Sequence, residues 1–341
     1  MKEAALSIFI IFLFAAGAYF FFFNEKGGDI ISPVGRKVQE IKEKPLEKYA
    51  FENLKSKQFD PGIITIGQIL KDEKDYSSYM FYYTVDSKKV SGLLNIPKKE
   101  GVYPLIVMFR GYIDREKYST GDGTKHAGEV FAQAGFITLA PDFLGYGQSD
   151  PPSTNPIEER LQTYTTALTL LASIKNISQA LSPISTNIKV DPEKVGIWGH
   201  SNGGQISLSV LEISGKNYPT VLWAPVSKPF PYSILYYTDD FDDHGKMLRK
   251  VVADFEKDYD VEKYSLTNFF DWIEAPIQLH QGSQDEAVPQ KWSDDLAVKF
   301  KDLNKGITYF TYPGEDHNFS KGNWSTVVSR NTAFYRLHFG K

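Results

Sequence analysis

Val195-Gly196-Ile197-Trp198-Gly199-His200-Ser201-Asn202-Gly203-Gly204 decides the fold. Its first four residues form a short apolar run that reads as a buried strand. Ile206, Leu208, Val210 and Leu211 follow, and read as a helix packed on that strand. Between them, Gly199-His200-Ser201-Asn202-Gly203 fits a G-x-S-x-G turn, in which a strained serine stands between two positions too crowded for a Cβ. Such a turn lifts Ser201 Oγ above the sheet and aims the next helix N-terminus at it.

The partners that such a serine needs lie downstream. Pro276–His280 reads as another buried strand, and Gln281-Gly282-Ser283-Gln284-Asp285 turns off its end. Gly306–Phe310 reads as a further strand, followed by Tyr312-Pro313-Gly314-Glu315-Asp316-His317. The order is therefore Ser201, Asp285, His317, each just past a strand. A serine hydroxyl is a poor nucleophile until a base takes its proton, and histidine is the base that titrates near neutrality. A buried carboxylate then fixes the imidazole tautomer and stabilises the imidazolium.

Each assignment has a plainer rival. Ser201 could be a structural serine in a tight turn, and Asp285 an N-cap for a helix over 288–301. The chain holds six histidines. His200 lies inside the elbow, with its side chain expected to point away from the nucleophile face. His280 reads as strand interior, His338 as part of a C-terminal helix, and His126 and His244 as loop residues. His317 is left as the base. Asp316 adjoins His317 and is badly placed to orient it, and Asp142 and Asp150 read as organisers of the loop after the fourth strand.

From about Lys89 to Lys341 the chain resembles the α/β-hydrolase superfamily, and within it the catalytic domain of the prolyl oligopeptidase (S9) family and its esterase-like relatives. The resemblance rests on Gly92–Pro97, Leu105–Gly111, Ala140-Pro141-Asp142-Phe143-Leu144-Gly145-Tyr146-Gly147, the stretch Val190–Gly204, Gly282 with Asp285 and Val288-Pro289, and Tyr312-Pro313-Gly314 with His317. It implies a mostly parallel central sheet with helices on both faces. It also implies a serine hydrolase that cleaves peptide or ester bonds through an acyl-enzyme. Main-chain N–H groups of Asn202 and Tyr112 are the implied oxyanion donors. Relatives usually carry His-Gly after the third strand, where this chain has Arg110-Gly111-Tyr112, so substrate preference is the property that this change affects. The segment before the core is too short for the β-propeller of larger S9 enzymes, which keeps a carboxylesterase as the alternative. A membrane-tethered binding domain without activity is the reading from another class.

Composition excludes other classes. At 341 residues and 42% hydrophobic content, there is enough chain for one large α/β domain plus extra segments. A net charge of −4 without a basic block or phosphate loop argues against nucleic acid. With no cysteine there is no thiolate site, and no metal or cofactor is expected from the spacing of His, Asp and Glu. Oligomeric state is left open.

Ala5–Phe23 is nineteen residues without a charge, about 28 Å as a helix and close to a bilayer core. A cleaved signal peptide is the rival, with Ala16-Gly17-Ala18 as its cleavage site, but Tyr19 and Phe20–Phe23 continue the apolar run. Residues 1–24 are thus expected to be a transmembrane anchor with the catalytic domain outside the cytoplasm. Residues 25–60 are expected to be a polar tether, and 61–341 the hydrolase. Ser77, Tyr79, Phe81, Tyr83 and Val85 alternate as in the leading antiparallel strands. Ala127–Ala134 reads as a crossover helix, and the spacing from Ile157 to Ile177 as a long amphipathic one. Residues 225–274 interrupt the alternation as a lid-like insertion with its own small core. Its aromatics are candidates for a substrate pocket, and its acids Asp239, Asp240, Asp242 and Asp243 for a cationic group.

Overall fold

Nine apolar or alternating runs become nine strands of one sheet in the computed structural model, which describes residues 43–340. They are β1 (Thr65–Asp72), β2 (Tyr76–Val85), β3 (Lys88–Pro97), β4 (Gly101–Phe109), β5 (Ile137–Pro141), β6 (Ile188–His200), β7 (Thr220–Trp223), β8 (Ile277–Gly282) and β9 (Ile307–Tyr312). Their order across the sheet is β1-β2-β3-β5-β4-β6-β7-β8-β9. The first three strands and β5 pair antiparallel, and from β5 to β9 every pair is parallel. This is the α/β-hydrolase arrangement. Parallel strands need crossovers, so helices cover both faces and the inner strands are buried on both sides.

The helices are α1 (Phe51–Ser56), α2 (Lys125–Gln133), α3 (Pro156–Ser173), α4 (Ile177–Leu181), α5 (Asn202–Ser214), α6 (Tyr232–Leu235), α7 (Lys246–Glu256), α8 (Gln290–Asp302) and α9 (Trp324–Phe339). Asn155-Pro156 starts α3 as local chemistry dictates. Asn155 Oδ1 accepts from Ile157 N at 2.9 Å and Glu158 N at 3.1 Å, and Pro156 occupies the first turn. One core lies under α3 and α5, including Leu161, Leu168, Ile206 and Leu208. The other lies under α2 and α9, where Phe131, Phe136, Tyr335 and Phe339 pack ring on ring.

Three sequence expectations change. The compact body begins at Lys44, not at residue 61. Leu46, Tyr49, Phe51 and Leu54 recur at helical spacing among the charges of the expected tether, and all four are buried. Burial of such side chains is worth about 1.5–3 kcal/mol each, enough to override the polar composition around them. The insertion 225–274 has no core of its own, since Phe230, Val252, Phe255, Tyr264, Leu266, Phe269 and Phe270 join the core beneath α3 and α5. The N-terminal segment holds it there: Phe51 stacks on Phe269 at 5.2 Å, and Tyr264 Oη donates to the Leu46 carbonyl at 3.1 Å. His126, expected in a loop, is the second residue of α2. The apolar run Ala5–Phe23, the anchor expectation and the first half of the expected tether lie outside the described residues. Among the described residues no helix is long and apolar enough to cross a membrane.

Candidate active site

β6 is central in the sheet, and its C-terminal end meets α5 at Ser201. Open parallel sheets place their ligands at such strand ends. Ser201 has φ 56° and ψ −119°, a conformation that is costly for a residue with a Cβ. The neighbouring glycines show why the turn closes so tightly. A Cβ on Gly199 would lie 2.2 Å from Ser207 Oγ, and one on Gly203 would lie 1.9 Å from the Phe109 carbonyl oxygen. Ser201 N donates to the Trp223 carbonyl at 2.9 Å, tying the elbow to β7.

The ends of β8 and β9 bring Asp285 and His317 together. His317 Nδ1 donates to Asp285 Oδ2 at 2.8 Å, which leaves Nε2 as the unprotonated nitrogen of the neutral ring. The Asp285 side chain is fully buried, and every lone pair has a donor. Oδ2 also accepts from Gln281 Nε2 at 2.8 Å, and Oδ1 from the N–H groups of Ala287 and Val288 at 2.9 and 2.7 Å. Burial alone would raise this carboxyl. The His317 imidazole and the two main-chain donors outweigh it and hold Asp285 below the usual aspartate range. Asp285 is not the N-cap of α8, which begins at Gln290 with Pro289 before it; its two main-chain donors belong to the turn that follows it. Among the described residues no hydrogen bond joins Ser201 Oγ to His317, a looseness common before substrate binds.

The turn after β4 lies against the elbow: a Cβ on Gly111 would sit 3.1 Å from Ser201 Cβ. Among the described residues, neither Tyr112 N–H nor Asn202 N–H has an acceptor. For Asn202 this follows from its place as first residue of α5, where a helix leaves its N–H groups unused. Tyr112 is exposed, its hydroxyl donating to Asp114 Oδ1 at 3.1 Å. Arg110 is buried. It donates to the carbonyls of Gly111 at 2.9 Å and Asp142 at 3.1 Å, and its guanidinium is clasped by Tyr146 and Tyr118, 4.0 and 4.4 Å from the ring centres. The arginine thus fixes the turn from beneath without occupying the site. Asp142 is a loop organiser, accepting from Ser91, Tyr118 and Thr120. Asp150 accepts from Lys89 N.

A cavity of ≈ 670 Å³ opens beside these donors, lined by Tyr112, Asn202, Gln205 and Ile206 from the core and by Phe230, Ile234 and Tyr264 from the insertion. The insertion's aromatics divide: Tyr232 and Tyr236 pack instead on Trp292. Among the described residues its acids Asp239, Asp242 and Asp243 do not border the cavity. Asp239 pairs with Arg249, and Asp243 accepts from Gly245 N and Met247 N.

Some supporting residues were not singled out from sequence. Gln281 is held by Ser293, which donates to Gln281 Oε1 at 2.7 Å, so that its amide N–H must face Asp285. Glu315 is buried and accepts from Lys321 N, Asn323 N and Asn323 Nδ2, shaping the His317 loop. His200 does not simply point away from the site. Its Nε2 lies 3.0 Å from the His317 carbonyl. Only position relative to an established elbow could have marked these three.

Residues 123–341 match the model of the prolyl oligopeptidase family. The chain is similar to the uncharacterized peptidase YtmA of Bacillus subtilis, 27% identical over 264 residues, covering 76% of this chain and 93% of that protein. Among solved structures it is similar to a puromycin-hydrolyzing peptidase of Mycobacterium tuberculosis, with a TM-score of 0.54 and 20% identity, covering 78% of this chain but 40% of that one. It is equally similar to acetyl xylan esterase 1 of Thermoanaerobacterium, with a TM-score of 0.54 and 19% identity over 86% and 94% of the two chains. At these identities the structural likeness is one of fold.

Proposed function

Since the chain belongs to the prolyl oligopeptidase family and is a serine hydrolase, we propose that Ser201, His317 and Asp285 are its triad and that it cleaves peptide or ester bonds. The observation that carries this is the fully donated Asp285 carboxylate holding His317 Nδ1 beside the Ser201 elbow. His317 Nε2 takes the Ser201 hydroxyl proton as Oγ bonds to the carbonyl carbon. Asn202 N–H and Tyr112 N–H receive the oxyanion. As the tetrahedral intermediate collapses, the bond to the leaving amine or alcohol breaks and His317 returns the proton to it. Water, deprotonated by the same imidazole, then releases the acid and restores Ser201.

A carboxylesterase is the second reading, favoured by a fold shared equally with an acetyl xylan esterase. Fluorophosphonate labelling followed by intact mass tests the shared chemistry. One adduct, absent in Ser201→Ala, is expected; no adduct on folded protein would move the inactive binding domain to the front. A panel of p-nitrophenyl esters against aminoacyl anilides then separates esterase from peptidase.

The apolar run Ala5–Phe23 supports a retained single-pass anchor with the hydrolase outside the cytoplasm. Carbonate-resistant membrane association of the full chain, together with digestion of the hydrolase by external protease in intact cells, is the expected result. A soluble, shortened product would mean a cleaved signal instead.

A further inference from the structure

The cavity beside the oxyanion donors differs in charge from the rest of the chain. Four cations and three carboxylates border it, whereas the whole protein carries a net charge of −4. Most of these groups are neutralised locally. Arg110 is held by two carbonyls, Arg115 pairs with Glu159, and Lys117 pairs with Asp114 at 2.9 Å. Glu116 is exposed on the outer loop. Arg160 remains: among the described residues its guanidinium has no hydrogen bond and no ion pair.

Helix α3 puts it there. Ile157, Leu161 and Tyr164 line the same cavity, and Arg160 stands among them at helical spacing, beside Glu159, Gln162 and Thr163, which line it too. Arg160 is exposed on the cavity wall; the protein on either side of the cleft still disfavours its charge, with Glu159, already paired, and nearby tyrosine hydroxyls acting against this. A cation so placed gains from an incoming anion.

The cavity's position says which part of a substrate enters it. Asn202 and Tyr112 border it, and Ser201, His317 and Asp285 do not. His317 must reach the leaving group to protonate it, so the leaving group lies on the histidine side and the acyl part enters the cavity.

Building on the serine-hydrolase reading above, we propose that the cavity takes an acyl group bearing a carboxylate, and that Arg160 is the specificity-determining residue that binds it. The planar guanidinium fork matches a carboxylate with two parallel hydrogen bonds. The substrate class is then the monoester or amide of a dicarboxylic acid, including a peptide with an acidic residue on the acyl side.

The test compares 4-methylumbelliferyl octanoate with the mono-4-methylumbelliferyl ester of suberic acid, which has the same eight carbons and a terminal carboxylate. The hexanoate and adipate pair is run alongside to allow for reach. The wild type is expected to favour the charged member in kcat/KM. Arg160→Gln should lower the ratio of charged to neutral kcat/KM by about 10–100-fold, the worth of a charge-assisted pair. Arg160→Lys should restore part of it. A wild type that prefers the neutral ester, or a ratio unmoved in Arg160→Gln, overturns the proposal. If the wild type hydrolyses neither pair, the serine-hydrolase reading has failed separately. Calorimetric titration of suberate into the folded full chain then decides on Arg160: binding lost in Arg160→Gln supports the site, and no binding to the wild type overturns it.

Discussion

His200 Nε2 lies 3.0 Å from the main-chain carbonyl of His317, and the two imidazole rings are tilted against each other with centres 4.5 Å apart. The residue before Ser201 thus anchors the loop that carries His317. A carbonyl only accepts, so His200 Nε2 carries the proton and the ring donates. Burial, and then the charge that His317 can carry, pull His200 down to about 3, so the ring stays neutral while His317 cycles. His200→Phe keeps the ring volume and removes the donor. It should lower kcat about 10–100-fold, the usual result of small misplacement in a catalytic group, with a small change in melting temperature. Full activity in His200→Phe would show that the His317 loop holds itself.

Asp285 accepts from four donors, and only one of them is chemical in purpose. Asp285→Asn keeps an oxygen for the Ala287 and Val288 N–H groups. It offers an amide N–H to His317 Nδ1, forcing the wrong tautomer. A kcat loss of about 10³–10⁴-fold is expected, far more than the accompanying loss of stability explains. Steady-state kinetics with thermal denaturation separates the two effects. A variant within tenfold of wild type would remove Asp285 from the triad.

Arg110 acts by shape as much as by charge. Lys at this position keeps the charge but can neither span the Gly111 and Asp142 carbonyls nor stack between Tyr118 and Tyr146. Arg110→Lys should cost about 1–3 kcal/mol in urea unfolding and lower kcat through a loosened Tyr112 turn. Stability and kcat both equal to wild type would mean that the clasp contributes nothing.

What could be read in the sequence followed from locality. The elbow is a contiguous strand, turn and helix, so Gly199, Ser201 and Gly203 are marked by their own neighbours. Asp285 and His317, which the structure pairs, each follow a recognisable buried strand. Leu46 and Phe51 are hidden because local composition is charged, and they are held by Tyr259, Tyr264 and Phe269 more than 200 residues away. The same holds for Arg160. On α3 it is one charged residue in a helix, and only the cavity beside Asn202 gives it a meaning.

Two buried imidazoles make the stability of the fold depend on acidity. His280 is fully buried, with Nδ1 2.8 Å from Tyr312 Oη and Nε2 against Gln278 Oε1 and Asn331 Nδ2 at 2.9 and 2.8 Å. Burial, and then the nearby Arg330 cation, bring it down to about 3, the same value as His200. In the unfolded chain both return to the ordinary value of 6.5. Below that pH the unfolded state binds protons that the native state refuses, so stability is complete above about 6.5 and falls as the pH drops toward 3. Each ring contributes a slope approaching about 1.4 kcal/mol per pH unit within that window. The buried carboxyls of Glu212 and Asp142, raised by burial, act with opposite sign in the same window, so the histidine contribution is isolated by comparing variants in urea unfolding from pH 7.5 to 4.5. His280→Gln keeps a donor and an acceptor but cannot titrate, and should lose less stability than the wild type on acidification, by up to about 1.4 kcal/mol per pH unit. An unchanged slope in that variant would place the acid sensitivity elsewhere, because no other consequence of the substitution depends on pH between those limits.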